Sequence, residues 1–101
     1  MKLIEQKEIV LSSFNFEKVE IAMKSLDWKW IDGGVPGNFE YQPEIDDLKQ
    51  VASRCLDSVI NNTDSESSCS FGGFEALKID GMLELRFVLD VSNPFTYLNK
   101  H

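Results

Sequence analysis

The 101-residue chain is 43% hydrophobic and 27% charged, and it carries a formal net charge of −7. This composition is typical of one globular domain whose core needs no metal or disulfide. No apolar run approaches the roughly 20 residues that cross a bilayer, and the first ten residues lack the apolar stretch of a signal peptide, so we expect a cytoplasmic protein without a membrane partner. The negative charge repels phosphate backbones and argues against direct binding to nucleic acid.

The charge is concentrated in one segment. Residues 32–75 contain nine acidic residues against Lys49 and Arg54, whereas the segments 1–31 and 76–101 are each neutral. Two interpretations are open: the acids form a solubilising surface, or they form a patch that meets a basic partner or imitates nucleic acid.

The N-terminal third contains one clear helical pattern. Residues 8–11 predict at most an edge strand. Residues 15–26 predict a helix behind Asn15, a residue type that caps helix N-termini. Its predicted apolar face consists of Phe16, Val19, Ala22, Met23 and Leu26. Residues 27–31 then alternate in character, which predicts a short strand.

The middle third contains the strongest helix prediction. Residues 32–42 hold three glycines and Pro36 and predict a loop. A helix follows over residues 43–60, with Pro43 at its first position and acidic residues in its first turn. Its apolar stripe consists of Ile45, Leu48, Val51, Ala52, Cys55, Leu56 and Val59. Residues 62–68 are polar and serine-rich and predict a mobile loop.

The C-terminal third predicts a hairpin. Asp80-Gly81 favours a two-residue turn between two strands. A turn at this place sets a register in which the predicted pairs are Ile79 with Met82, Ala76 with Leu85, Glu75 with Arg86 and Phe74 with Phe87. We expect Gly72-Gly73 to mark a bulge or a point where another backbone or a ligand comes close. We also expect a tail over residues 93–101, whose Phe95, Tyr97 and Leu98 dock on a neighbour.

These elements predict an α+β fold with two helices on one face of a small antiparallel sheet, in the order α-β-α-β-β with a possible extra N-terminal edge strand. We expect a single domain, 1–101, with an ordered core of about 8–92. The core includes Leu85 and Phe87 together with the stripe of the second helix. The other sheet face is apolar around Glu75 and Arg86, which suggests a self-complementary homo-oligomer.

The sequence contains few residues that are suited to catalysis. The only histidine is His101, the last residue, and Cys55 and Cys69 have no obvious partner base. We expect both cysteines to be free buried thiols. Acidic residues at the start of a helix are expected for dipole reasons rather than as cation ligands. The sequence therefore predicts no enzyme, no catalytic residue, no metal and no cofactor.

Two local motifs could bind a ligand. In the first, Trp28 and Trp30 flank Lys29, and indole rings beside a glycine-rich loop could stack a base, although core packing explains them as well. In the second, the backbone amides and hydroxyls from Ser70 to Phe74, with Gly72-Gly73 between them, could hold a phosphate, although a bulged strand entry explains them as well.

Four stretches of the chain carry a recognisable pattern, and they read Phe16-x-Lys18-Val19-x-x-x-Met23-x-x-Leu26-x-Trp28-x-Trp30, Gly34-Val35-Pro36, Ser70-x-Gly72-Gly73-Phe74-x-Ala76 and Leu85-x-Phe87-Val88-Leu89. Together they resemble a group of small uncharacterised proteins of tailed bacteriophages and prophages over about residues 15–90. Residues 37–42 look like an insertion in that pattern. The resemblance implies a phage accessory protein in the cytoplasm of a host cell, where such proteins commonly act on host defence.

Two binding functions follow as hypotheses. The first is an anti-defence protein that sequesters a small anionic signal such as a cyclic nucleotide, held by Trp28, Lys29, Trp30, Ser70, Gly72, Gly73, Phe74 and Arg86. The second is an acidic inhibitor or nucleic-acid-mimicking decoy that presents residues 32–75 to a basic host protein. On the first hypothesis we expect Gly73→Asp to abolish ligand binding and to leave the fold intact.

Overall fold

The computed structural model describes residues 3–31 and 40–88. In chain order the elements are α1 (Leu3–Ser13), α2 (Phe16–Ser25), β1 (Trp30–Ile31), β2 (Glu40–Tyr41), α3 (Ile45–Ile60), β3 (Glu66–Phe71), β4 (Phe74–Ile79) and β5 (Met82–Phe87). Strands β3, β4 and β5 form an antiparallel sheet in that order. Helix α3 packs on β3 and β4, α1 packs on β5, and α2 packs on α3. The fold class is α+β, as the sequence predicts.

The N-terminal segment is a helix and not the predicted edge strand. Helix α1 spans Leu3–Ser13 and turns Val10 and Leu11 toward the core, while Ile9 is 56% exposed. The β-branched pair Ile9-Val10 suggested a strand, but the preceding run of Glu, Gln and Lys consists of good helix formers. Packing of one helical face against β5 decides the outcome, because a short apolar run fits either structure.

Helix α2 begins where the sequence predicts. The side chain of Asn15 accepts a hydrogen bond from the backbone N–H of Lys18 at 3.0 Å, which caps the first turn. Phe16, Val19 and Met23 are buried. Ala22 and Leu26, also expected on the buried face, are exposed.

The short strand after α2 forms a sheet of its own. Strand β1 pairs with β2 in a two-stranded antiparallel sheet, with Trp30 opposite Tyr41. Strand β2 was not predicted from the sequence, because it falls inside the expected 32–42 loop. The predicted fold also implied that β1 joins the hairpin sheet. That expectation is wrong, because the chain returning from the loop supplies the partner of β1.

Helix α3 carries the largest part of the core. Its Leu48, Ala52, Cys55 and Leu56 are fully buried, as predicted. The N-cap is Glu44, whose backbone N–H donates to Asp47 Oδ2 at 3.0 Å. Pro43 therefore precedes the helix and does not occupy its first position.

The β4–β5 hairpin has the predicted register. Its turn is Asp80-Gly81, with φ values of 51° and 78°, and Phe74 pairs with Phe87 while Glu75 pairs with Arg86. Positive φ at both central residues matches the twist of the strands. A second hairpin joins β3 to β4, so the predicted mobile loop at 62–68 is wrong from Glu66 onward. The serines of β3 lack strand propensity, but the ladder with β4 overrides it.

Within residues 3–31 and 40–88, no helix is long and apolar enough to cross a membrane. The expected tail at 93–101 and most of the loop at 32–42 lie outside the described residues.

Candidate functional site

The turn between β3 and β4 consists of Gly72 and Gly73, with φ values of 58° and 87°. Glycine adopts this left-handed conformation without steric cost. Gly72 also packs against its surroundings, because a Cβ built on it would lie 2.7 Å from Val51 Cγ1 and 3.9 Å from Trp30 Cζ2. Side chains therefore approach a tight turn here, in place of the predicted bulge or the predicted approach of another backbone or a ligand.

Gly73 is fixed by the end of β5. A Cβ at Gly73 would lie 2.8 Å from Phe87 Cε1, and the Gly73 carbonyl accepts a hydrogen bond from the Val88 N–H at 2.9 Å. Any side chain here meets both an unfavourable φ and an aromatic ring. We therefore expect Gly73→Asp to destabilise the fold, which makes this substitution a poor test of binding.

A cavity of about 230 Å³ opens at this turn, and its lining consists of Ser70, Phe71, Gly72, Gly73, Phe74, Glu75 and Val88. It brings together four of the eight residues that the sequence assigns to ligand binding. Because small-molecule pockets usually measure about 300–1,000 Å³, this one has room for part of a nucleotide, such as a phosphate group. The Ser70 hydroxyl and turn amides can donate hydrogen bonds, and Glu75 contributes a carboxylate.

The two tryptophans belong to the core. Trp28 is 4% exposed and Trp30 is 6% exposed, so neither indole offers an open face to a ligand. Trp30 approaches Gly72 from the protein interior, and its ring meets Tyr41 edge-on at 6.0 Å between centroids. This arrangement agrees with the core-packing interpretation of the motif. Lys29 is exposed, and its Nζ lies 4.0 Å from Asp27 Oδ1.

Arg86 lies outside the cavity lining and between two carboxylates. Its Nε donates to Glu84 Oε1 at 2.9 Å, and its Nη1 lies 3.7 Å from Glu75 Oε1. The hydrogen bond to Glu84 raises the pKa of Arg86 above its usual value, and the charges of Glu84 and Glu75 act in the same direction. A ligand anion would have to compete with both carboxylates for this guanidinium.

The cysteines are free thiols, as predicted, with Cys55 buried and Cys69 half-buried. Burial raises the pKa of Cys55 from 9.0 to about 12, and the neighbouring Cys69 adds to the shift. The Cys55 thiol is therefore protonated near neutral pH and is a poor nucleophile. In the described part of the chain, no three His, Cys, Asp or Glu side chains form a group that could hold a metal ion.

One buried charge was not predicted from the sequence. Lys78 is 4% exposed, and its Nζ donates a hydrogen bond to the Asn62 carbonyl, just past the end of α3. A cation at this end of a helix is favourable because the helix dipole places negative charge there. The strand period could have revealed it, since Lys78 shares a face with Phe74 and Ala76.

Two residues that were predicted to be buried, Ala22 and Phe87, border an open depression on the surface. Ala22 is exposed and Phe87 is only half-buried because both line an open, mostly apolar depression of about 490 Å³ between α2 and the end of β5. Phe87 thus packs on Phe74 on one side, with 4.9 Å between ring centroids, and borders this depression on the other.

Comparisons with known proteins found nothing similar: no family model, no curated protein and no solved structure matches this chain.

Proposed function

We propose that this chain is a non-enzymatic phage accessory protein that acts by binding, and that it takes a small anionic ligand of the nucleotide type at the Gly72-Gly73 turn. The supporting observation is the cavity that joins Ser70, Gly72, Gly73 and Phe74. In an anti-defence role the protein would sequester a signal such as a cyclic nucleotide. The resemblance to phage proteins supports that role by association only.

The chemistry of the cavity restricts how such a ligand would bind. The two central residues of a two-residue turn stand outside the strand ladder, so their N–H groups are suited to a phosphate. Glu75 opposes an anion, and the Arg86 guanidinium 3.7 Å from it offsets that charge. A bound phosphate would draw Arg86 away from Glu75. Because the cavity is small, the rest of the ligand would lie outside it, against the sheet end or a second copy of the chain.

Thermal unfolding with a panel of cyclic mononucleotides and dinucleotides tests this proposal. We expect at least one member to raise the Tm, since a ligand that binds only the folded state stabilises it. Ser70→Asp places a carboxylate in the cavity at an exposed strand position and should abolish the rise. Ser68→Asp is the matched control, because Ser68 is an exposed position on the same strand face and does not line the cavity. No Tm rise with any member at millimolar concentration would contradict the proposal.

A second candidate is the acidic inhibitor of a basic host protein. Asp46 is exposed near the start of α3 and supports it, whereas the exposed Glu44 already lies near a cation, with 4.0 Å between its Oε2 and Lys24 Nζ. Other acids of the 32–75 segment already have cationic neighbours, such as Asp57, whose Oδ1 lies 2.6 Å from Lys7 Nζ. Charge reversal at Asp46 is the cleaner test, because Asp47 caps α3 and its loss would destabilise the helix. Binding to the partner should weaken in Asp46→Lys and with added salt.

A further inference from the structure

The sheet has one face that no described element covers. This outer face consists of the side chains at even-numbered positions of β3 and β5 and at odd-numbered positions of β4. The side chain of Val88, just beyond β5, belongs to it as well. The helices pack on the opposite face, which carries Phe74, Ala76 and Leu85. On the outer face Ile79 is 49% exposed and Met82 is 69% exposed. Open faces of antiparallel sheets are usually polar, so exposed apolar side chains here indicate a binding surface.

The outer face also carries an excess of negative charge. Glu66, Glu75 and Glu84 contribute three carboxylates, and Arg86 contributes one positive charge, which leaves a net charge of −2. Arg86 is engaged by Glu75 and Glu84. Glu66 makes no ion pair with another residue in the described ranges 3–31 and 40–88. The exposed apolar side chains of the outer face therefore lie among carboxylates that outnumber the cations.

We propose that the outer face docks a protein partner whose own surface is apolar at its centre and rich in lysine or arginine around it. Such a partner would cover Ile79 and Met82 and would pair its cations with the three glutamates. This proposal places a basic partner on the sheet and not at the start of α3, so it differs from the acidic-inhibitor candidate that Asp46→Lys tests. It also does not depend on a small ligand at the Gly72-Gly73 turn.

Charge complementarity favours this occupant over a second copy of the chain. Two copies stacked through this face would bring six carboxylates together against two guanidinium groups. The size of the face points the same way, because three six-residue strands span about 14 Å by 20 Å, or roughly 300 Å² in plan. Even twice that area falls short of the roughly 800 Å² per partner of a stable dimer, whereas a transient partner that is steered by charge needs less.

The test uses two synthetic peptides, one alternating Val with Lys and one alternating Val with Glu, titrated into the isotope-labelled full chain and followed by backbone amide NMR. We expect the Val-Lys peptide to shift the amide signals of Ile79, Met82 and Glu84, and the Val-Glu peptide to leave them unchanged. The affinity should fall between about 50 mM and about 300 mM salt because the charges become screened.

Two charge-reversal variants locate the site. Glu84→Lys should weaken binding of the Val-Lys peptide about fivefold, whereas Asp46→Lys, the same charge change on α3, should change it less than about twofold. Equal weakening by both variants would mean general attraction to an acidic protein and would overturn the proposal. Absence of binding, or shifts confined to α3, would overturn it as well.

Two further measurements separate this proposal from its competitors. Sedimentation should find a monomer, and a dimer that Met82→Lys dissociates would assign the outer face to a second copy and overturn the proposal. Glu84 and Met82 do not line the cavity, so a Tm rise with a nucleotide should survive in their variants. Failure of the small-ligand proposal and failure of the docking proposal are therefore distinguishable.

Discussion

The edge of the Phe87 ring occupies the space that a side chain on Gly73 would need, since a Cβ there would lie 2.8 Å from Phe87 Cε1. Phe87 in turn packs edge-on against Phe74, its partner in the β4–β5 register. The glycine turn and this aromatic pair therefore depend on each other. The cavity at the turn keeps its shape only while position 73 has no side chain.

Gly73→Ala should lower the free energy of unfolding by about 2–4 kcal/mol, because it combines an unfavourable φ with overpacking against an aromatic ring. Gly81→Ala is the control. Gly81 also has a positive φ, 78°, but a Cβ there would meet nothing within 4 Å, so its cost should be only about 1–2 kcal/mol. Urea denaturation of the two variants measures the difference. Equal losses would show that Phe87 can move aside.

Leu56→Ala should cost about 2–5 kcal/mol, because Leu56 is fully buried on α3 and its truncation leaves a cavity under the sheet. Ile21→Ala removes a similar side chain that is 63% exposed and should change stability by less than about 0.5 kcal/mol. Thermal and urea unfolding measure both variants. A Leu56→Ala protein that melts like the parent would mean that α3 does not pack as described.

The parts of the fold that could be predicted have local signals that agree with one another. The β4–β5 hairpin follows from Asp80-Gly81, because the turn type fixes the register and the register pairs Glu75 with Arg86. The apolar stripe of α3 predicts that helix. A similar stripe, together with the Asn15 cap, predicts α2.

The remaining elements depend on tertiary contacts that a sequence pattern does not contain. Strand β3 is built largely from serines and exists because β4 lies beside it. The sequence nevertheless indicates the turn between β3 and β4, because Gly72-Gly73 suits a two-residue hairpin turn as well as the expected bulge. Helix α1 has an apolar run too short to distinguish a helix from a strand.

The candidate site was only partly predictable. Ser70 and Glu75 reach one cavity because they face each other across the β3–β4 ladder, one residue beyond the Phe71 and Phe74 pair that closes the turn. The burial of Trp28 and Trp30 could not be read from their spacing. Alternation on a strand indicates which face a side chain takes, and it does not say which other elements cover that face.

Stability should decrease at alkaline pH in a way that depends on Cys55. Its pKa is raised from 9.0 to about 12 in the folded chain, so the folded state holds a proton that the unfolded state releases between those values. The stabilising contribution is complete below pH 9 and is lost as the pH rises toward about 12, with a slope of up to about 1.4 kcal/mol per pH unit.

The pH series compares the parent with Cys55→Ala and uses Leu56→Ala as the control. Leu56→Ala loses core volume but keeps the thiol, so it should retain the parent slope above pH 9, whereas Cys55→Ala should show a shallower one. Urea unfolding at several pH values measures the slopes. Identical slopes in the parent and Cys55→Ala would mean that this thiol ionises at the same pH in the folded and unfolded chains.

Glu75→Gln tests whether the ligand at the Gly72-Gly73 turn is an anion, because the direction of the change in affinity depends on the ligand's charge. Glu75→Gln removes the carboxylate from the cavity with almost no change in shape, and it also releases Arg86 from one of its two partners. An anionic ligand should then bind about fivefold more tightly, which corresponds to about 1 kcal/mol. Calorimetric titration with the nucleotide that gives the largest Tm rise measures the change.

Glu84→Gln is the matched control for this effect. It removes the same charge and also releases Arg86, but Glu84 does not line the cavity. If the ligand's phosphate sits beside Glu75, Glu75→Gln should tighten binding more than Glu84→Gln does. Equal tightening would place the anion on Arg86 over the open sheet face, outside the cavity. Weaker binding in Glu75→Gln would mean that the Glu75 carboxylate accepts a hydrogen bond or a cation from the ligand, and the proposal of a phosphate at this turn would then fail.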